Sequence, residues 1–316
     1  MRRLARALAL ATALPALVTA TALSAPLSES TAHGDAPVRI VPHEISYEVS
    51  LKSAEERSGM LMASGVLFSR MEGGPCEGWS SLSRMKVRFV FRREATRETE
   101  SRVASWESDD GNRFYSRIER YLNGLPVETV RVKTSREKAG RPFRLEMSEP
   151  ERRTAKLPPQ TLFPTTALKR LLAAARQGRR ELTMLLYEGD EEAAPQHVVA
   201  LIGRRHAPLT PASDGSGKAG PHERQAREQE QGDLPQLRQM SYWPVSLAYY
   251  GPIVRKDGSK PSDREREAAR FGLPEYEVHF RLYENGVTGD ALLIYPDYVL
   301  RAKVTKLRLL EPARCQ

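Results

Sequence analysis

The most constraining stretch of the sequence is Pro274–Leu310, which alternates apolar and polar residues on both sides of an Asn-Gly pair. Residues 276–282 are apolar at even positions and charged or polar at odd ones, a period that places them on opposite faces of a β-strand. Asn285-Gly286 predicts a type I′ hairpin turn, because both residue types tolerate positive φ. The alternation then resumes through Ala291, Leu293 and Tyr295. The stretch predicts an antiparallel meander with one buried face and one solvated face.

The same alternation of apolar and polar residues recurs along the rest of the chain. Short alternating segments separated by turn signals such as Asn123-Gly124 predict strands near Ile45–Leu51, Gly59–Arg70, Met85–Phe91, Ser101–Glu107, Arg113–Leu122, Val127–Thr134, Arg141–Met147, Glu181–Glu188, His197–Arg204 and Met240–Tyr250. In the last of these, Trp243-Pro244 suggests an edge or a bend. So many successive short strands predict an all-β, mainly antiparallel domain and argue against βαβ units.

One segment breaks the β pattern and predicts a helix. Leu157–Pro164 is a rigid lead-in, and Thr165 is placed to cap a helix with apolar residues at Leu168, Leu171, Leu172 and Ala175. Gly178 predicts the end of this helix, because glycine is favoured immediately after a helix C-terminus. We expect this apolar stripe to pack on the concave face of the sheet, with a partner-binding or membrane-surface helix as the alternatives.

Two stretches interrupt the pattern with polar, Gly- and Pro-rich or charged sequence. Pro208–Leu234 and Pro252–Leu273 are expected to be flexible surface insertions, the second with a short helix around residues 264–270. Gly217-Lys218-Ala219 in the first lacks the Ser or Thr of a phosphate-binding loop. We therefore expect a single domain over residues 33–316.

The N-terminus has the layout of a secretory signal peptide. Arg2, Arg3 and Arg6 precede an apolar run over residues 7–23, followed by small residues that suit cleavage after Ala22, after Ser24 or as late as Ala32. A retained membrane anchor is the alternative, although the run is short and contains Pro15. We expect residues 1–32 to be removed, the mature protein to be periplasmic, and no stable membrane span to remain.

The sequence contains two cysteines, Cys76 and Cys315. Both lie in the exported part, where an oxidising compartment favours one disulfide between them. Two unrelated thiols are the alternative. A bridge would tie the end of the chain to a point near the start of the mature protein, and a loop of this length would contribute at most roughly 5 kcal/mol.

Composition excludes several classes of function. The formal net charge is +9, but Lys and Arg alternate with Asp and Glu along the strands, which is typical of a solvated sheet face and argues against nucleic-acid binding. The six histidines show no metal-ligand spacing, and no Gly-x-Ser-x-Gly or Cys-base pattern occurs. We predict no catalytic residue, no metal and no cofactor, although a triad assembled from distant residues would leave no local pattern.

Several short motifs together resemble the EipB family of bacterial cell-envelope integrity proteins. They run in order along the mature chain: Cys76–Trp79, Ser105–Gly111, Leu157–Thr165, Trp243–Ser246, Tyr276–Val287, Leu300-Arg301 and Thr305–Leu307. The resemblance implies a periplasmic protein of a Gram-negative envelope whose sheet wraps as a β-spiral, an incompletely closed barrel with one packed helix. It also implies a disulfide between the positions of Cys76 and Cys315.

These observations lead to a functional expectation. We expect a non-enzymatic periplasmic protein that supports envelope integrity by binding a protein partner or an envelope component on its curved sheet. The alternative is a periplasmic carrier that holds a lipid or another apolar ligand between helix and sheet. An envelope hydrolase with a dispersed site is a third class, for which no residue stands out.

Overall fold

The computed structural model describes residues 38–208, 234–251 and 272–313. Within these ranges the helical elements are a 3₁₀ turn at Glu56–Ser58, α1 (Pro164–Arg176) and α2 (Pro235–Arg238). The strands are β1 His43–Ala54, β2 Met60–Gly74, β3 Gly78–Phe91, β4 Arg97–Glu107, β5 Arg113–Leu122, β6 Leu125–Ser135, β7 Phe143–Glu149, β8 Arg153–Leu157, β9 Thr161–Leu162, β10 Glu181–Leu186, β11 Gln196–Ile202, β12 Tyr242–Tyr250, β13 Tyr276–Tyr283, β14 Thr288–Tyr295 and β15 Tyr298–Leu309. The all-β prediction is confirmed.

All described strands belong to one 15-stranded sheet, which wraps into a nearly closed barrel. Its order is β8-β7-β6-β5-β4-β3-β2-β1-β15-β14-β13-β12-β11-β10-β9, so β1 pairs with the last strand. The edge strands β8 and β9 follow each other in the chain but are not paired. Of the described pairings, β9 with β10 is parallel and the rest are antiparallel. This open seam makes the barrel a spiral, as predicted.

The two Asn-Gly pairs form different turns. Asn123 and Gly124 both have positive φ, 52° and 80°, as a type I′ turn requires. At the second pair only Gly286 does, at 85°. The Gly286 N–H donates to the Tyr283 carbonyl, and the Tyr283 N–H donates to the Val287 carbonyl, each at 2.9 Å. The type I′ prediction there is wrong, because the loop is one residue longer and needs positive φ only at its final glycine.

Helix α1 forms where the sequence places it, but it begins differently. Leu171, Leu172 and Ala175 are buried against β10–β13, which confirms packing on the inner face of the sheet. Thr165 is not the N-cap: the N-cap position is Phe163, and Pro164 is the first helical residue, where a missing N–H costs nothing. The free N–H groups of the first turn are satisfied by a side chain from β4 instead.

Charged side chains pair with each other on the outer face. Lys86 of β3 lies 2.8 Å from Glu98 of β4, and Arg308 of β15 lies 2.7 Å from Glu44 of β1. Arg308 is directly opposite Glu44 in the register, whereas Lys86 reaches diagonally to Glu98, and both pairs leave the inner face to apolar residues. The predicted solvated outer face is confirmed for these strands.

Pro244 does not mark an edge, because β12 lies between β11 and β13. It pairs with Arg281 of β13, and its carbonyl accepts the Gly203 N–H at 2.7 Å, so its backbone faces β11 just beyond the last pair there, Ile202 with Val245, where a missing N–H is tolerated. Among the described residues, no helix is long and apolar enough to cross a membrane. The expected signal peptide, most of both insertions with the short helix at 264–270, and Cys315 lie outside the described residues.

Candidate functional site

Motifs that carry the family resemblance converge on the first turn of α1. Glu107, the last residue of β4, is 2% exposed. Its carboxylate accepts the Thr165 N–H at 2.8 Å, the Thr166 N–H at 3.0 Å and the Thr166 hydroxyl. Burial raises the pKa of Glu107 above its ordinary value, although these hydrogen bonds act in the opposite direction. A carboxylate from a distant strand therefore caps this helix.

A second contact fixes α1 one turn later. Asp109 Oδ1 accepts Lys169 Nζ at 2.5 Å and the Trp79 indole N–H at 2.9 Å. Burial favours a raised pKa for Asp109, but the hydrogen bonds from Lys169 and Trp79 outweigh it and hold the pKa below its ordinary value. Gly111 has φ +65°, and a Cβ there would lie 2.8 Å from the Thr166 hydroxyl oxygen. We call Glu107 and Asp109 with their partners the helix anchor.

The opposite ends of the strands carry an inward-facing series of aromatic rings. Neighbouring ring centroids are 4.3 to 6.5 Å apart along the series Tyr249, Tyr276, Tyr295, Tyr298, Phe89 and Phe91, here called the aromatic row. All but Phe91 belong to the inner core clusters or pack against them. Aromatic rings at such distances attract one another, and this attraction adds to the stability gained from burying their apolar surface.

Several inward-facing apolar residues beside the aromatic row are only partly buried. Leu247, Val278, Phe280 and Leu293 face inward by strand alternation and pack on the core, yet each keeps part of its surface exposed. Inward positions near α1, such as Leu282, are fully buried. Apolar walls that remain accessible within a barrel are typical of a ligand-binding interior.

Two acidic residues lie on the loop after β10, and one of them, Glu188, acts electrostatically on Tyr249 and Tyr276 of the aromatic row. Desolvation raises the pKa of Glu188, although the residue as a whole is exposed. Burial, reinforced by Glu192 and Glu188, raises the pKa of Asp190 to about 7. Desolvation, followed by the charge of Glu188, raises the pKa of Tyr276. These shifts favour the neutral forms of Glu188, Asp190 and Tyr276.

The predicted disulfide involves one described residue. Cys76 lies in the short turn between β2 and β3 and is not free, while Cys315 lies outside the described residues. The end of the described chain approaches the same turn: a Cβ built on Gly74 would lie 3.7 Å from the Ala313 carbonyl oxygen. Each of these residues is two positions from a cysteine, which is consistent with the predicted bridge.

No catalytic residue was predicted, and the two acids of the helix anchor have structural partners. Glu107 is occupied by the helix, and Asp109 by Lys169 and Trp79. In the described ranges, no group of three or more His, Cys, Asp or Glu residues could hold a metal ion. Sequence reasoning missed the aromatic row, although the tyrosines at the adjoining ends of β12, β13 and β14 give a usable signal once strand pairing is known.

Comparisons with known proteins agree with this architecture. A family model described as EipB-like matches residues 34–311. The chain is 27% identical over 284 residues to the cell envelope integrity protein EipB of Brucella abortus (strain 2308), covering 88% of this chain and 87% of that protein. It is also similar in fold to the crystal structure of a β-barrel-like protein of a domain of unknown function from Brucella abortus, with a TM-score of 0.70 and 24% identity over 87% of this chain and 100% of that chain.

Proposed function

This chain belongs to the EipB-like family, and from that premise we propose that it is a periplasmic protein that supports envelope integrity by binding an apolar envelope component, without catalysing a reaction. The family relationship supports the general role, because a relative of nearly the same length is a cell envelope integrity protein. The signal-like N-terminal sequence supports export to the periplasm. The binding activity rests on the interior of the barrel.

The aromatic row is the observation that carries the proposal. Its rings, with Leu247, Val278 and Leu293, form an apolar wall that is still partly accessible. Each accessible apolar Å² that a ligand covers stabilises the complex by roughly 25 cal/mol before the costs of binding. An acyl chain fits this wall better than a polar metabolite does, because the wall is apolar and because desolvation raises the pKa of the neighbouring Glu188 and so favours its neutral form.

The test combines retained ligands with probe binding. Native mass spectrometry of protein isolated from the periplasm reports any molecule that remains bound, and a fluorescent fatty acid measures binding in solution. Leu293→Ser places a hydroxyl on the inner wall, and Leu292→Ser is its matched control, since the adjacent side chain on β14 faces outward and is also partly exposed. We expect Leu293→Ser to weaken binding of the probe about tenfold and Leu292→Ser to leave it unchanged.

The possible results separate the two modes of binding. A retained lipid, or a probe that senses Leu293 and not Leu292, supports an apolar ligand. If the wild-type protein carries no ligand and does not bind the probe, the proposal that it binds an apolar envelope component is wrong. A protein partner then becomes the better explanation of the envelope role. Turnover of peptidoglycan or ester substrates by the purified protein would contradict the non-enzymatic assignment.

A further inference from the structure

Two aromatic rings lie together on the outer face of β4 and β5, on the opposite side of the sheet from the aromatic row. Trp106 of β4 is directly opposite Tyr115 of β5, and their ring centroids are 5.4 Å apart. The next residues along the strands, Glu107 and Phe114, are buried on the inner face, so alternation directs both rings outward. Tyr115 is 37% exposed, more than any other aromatic residue in the described part of the chain. We call Trp106 and Tyr115 the outer aromatic pair.

The indole of Trp106 is held in place by the turn between β2 and β3. Its N–H donates to the Glu77 carbonyl at 3.0 Å. Gly78 has φ +77°, and a Cβ there would lie 2.9 Å from the indole ring, so the glycine leaves room for Trp106. These three residues belong to sequence motifs whose side chains the helix anchor does not use. A ring that is fixed in advance loses little conformational entropy when a ligand packs on it.

Two exposed cations border the outer aromatic pair on the same face. Arg113 Cζ lies 5.5 Å from the Trp106 ring centroid, and Lys133 Nζ lies 5.9 Å from the Tyr115 centroid. Arg113 acts electrostatically on Asp110 but lies beyond ion-pair distance of it, and neither cation forms an ion pair with any acid among the described residues. Exposed cation–π contacts are weak, so both side chains can turn towards an anion at little cost.

Polar side chains continue the outer aromatic pair on both sides. Ser80 of β3 is opposite Trp106, Lys133 of β6 is opposite Tyr115, and Glu146 of β7 is opposite Lys133. Neighbouring strands are about 4.8 Å apart, so this outward-facing series spans about 19 Å. It offers hydrogen-bond donors and one carboxylate acceptor next to the rings. Because it lies on the outside of the barrel, a polymer too large for the interior can reach it.

We propose that the outer aromatic pair binds sugar rings of an acidic glycan chain, with Arg113 and Lys133 as ligands of its carboxylates. A pyranose ring has an apolar C–H face that packs on an aromatic ring, and hydroxyl groups at its edge that form hydrogen bonds with polar neighbours. A stable protein interface needs about 800 Å² on each partner and a core depleted of charge, whereas cations lie directly beside these two rings. This site goes beyond the proposed function, because it lies on the other face of the sheet and takes a polar ligand.

The experiment measures glycan binding to the full chain by intrinsic fluorescence and by calorimetry. Trp79 and Trp243 are each 5% exposed, so a ligand on the outer face changes mainly the emission of the more exposed Trp106. The probes are tetragalacturonate as an acidic glycan, chitotetraose as a neutral glycan, and end-blocked tetraglutamate as an acidic peptide without sugar rings. Retention on purified peptidoglycan sacculi tests the insoluble polymer. We expect tetragalacturonate to bind most tightly of the three soluble probes.

Two pairs of variants separate the rings from the charges. Tyr115→Ala removes one ring, and Tyr121→Ala is its control on the outer face of the same strand, where Arg102 Cζ already lies 4.6 Å from the ring centroid. We expect Tyr115→Ala to weaken tetragalacturonate binding about fivefold and Tyr121→Ala to leave it unchanged. Lys133→Gln should weaken it severalfold, whereas Lys86→Gln removes a cation from an ion pair on β3 and should have no effect.

The outcomes distinguish a glycan from simple charge attraction and identify its source. Tetragalacturonate binding that depends on Tyr115 and Lys133 supports the inference; retention on sacculi with the same dependence identifies peptidoglycan, and binding without retention identifies a soluble acidic polysaccharide. Tetraglutamate binding as tight as tetragalacturonate binding overturns the inference, because charge alone then suffices. Equal binding of chitotetraose, equal weakening by Tyr121→Ala, or a wild-type protein that binds neither tetragalacturonate nor sacculi also overturns it. Melting curves confirm that each variant is folded.

Discussion

Replacing Glu107 by alanine tests whether the carboxylate from β4 holds α1 in place. The change leaves the Thr165 and Thr166 N–H groups without their acceptor at a buried helix end. A hydrogen bond to a charged group contributes about 1.5–3 kcal/mol, and the two losses are not additive because water can reach the half-buried Thr166. We expect the free energy of unfolding to fall by about 3 kcal/mol. At about 2 °C per kcal/mol for a chain of this size, the melting temperature falls by about 6 °C.

Urea unfolding followed by circular dichroism measures this change, and two variants serve as comparisons. Glu98→Ala removes an acid from the outer face of the same strand, where Glu98 pairs with Lys86 while both side chains remain more than a third exposed. We expect it to change the unfolding free energy by less than about 0.5 kcal/mol. Glu107→Gln keeps the shape and one acceptor oxygen, so its loss should lie between the two.

A clear result would refute the reasoning. If Glu107→Ala is no less stable than Glu98→Ala, the first turn of α1 does not depend on the carboxylate, and packing of Leu171 and Leu172 alone positions the helix. If Glu107→Gln is as damaging as Glu107→Ala, the negative charge matters and the number of acceptors does not.

Two further predictions concern the disulfide between Cys76 and Cys315 and the buried carboxyl group of Asp190. Cys76→Ser or Cys315→Ser should lower the melting temperature in oxidising buffer by several degrees, with no difference from wild type once reductant is added; equal melting without reductant would contradict the disulfide. Burial raises the pKa of Asp190 to about 7, so the folded state binds more protons than the unfolded state between about pH 4 and 7, and stability falls as pH rises through that window. Asp190→Asn should remove this fall, which is at most about 4 kcal/mol over the whole window, and urea unfolding at pH 4 and pH 8 measures it; an unchanged slope would contradict the raised pKa.

The alternation of apolar and polar residues was sufficient to predict most strands, because one face of the sheet is buried and the other is exposed to solvent. The strand Arg113–Leu122 has the predicted bounds, and charged residues on the neighbouring strands β3 and β4 form ion pairs, as a solvated face requires. The turn at Asn285-Gly286 was wrong in type because loop length depends on the register of the flanking strands, which the dipeptide does not encode. Local sequence therefore predicts the position of a turn more reliably than it predicts the type of turn.

The helix anchor and the aromatic row depend on contacts between distant residues. Glu107 caps a helix that begins more than fifty residues later, so local capping rules pointed to Thr165 instead. Tyr249 and Tyr276 stack because they are paired across β12 and β13, and the stretch between them offers no pattern that indicates this. The cysteines were found from composition alone, since a residue type that occurs twice in the chain needs no register to be singled out.

The helix and the aromatic row share one apolar core, and this connects stability to the proposed binding. Leu171 and Leu172 of α1 belong to the cluster on which Tyr276 and Phe280 pack. An acyl chain that enters beside the aromatic row would therefore approach the same wall that α1 covers. Loosening the helix with Glu107→Ala should uncover more of that wall and tighten fluorescent fatty acid binding severalfold at a temperature well below unfolding, while Glu98→Ala should not. Unchanged binding in a destabilised Glu107→Ala protein would show that α1 does not limit access to the interior.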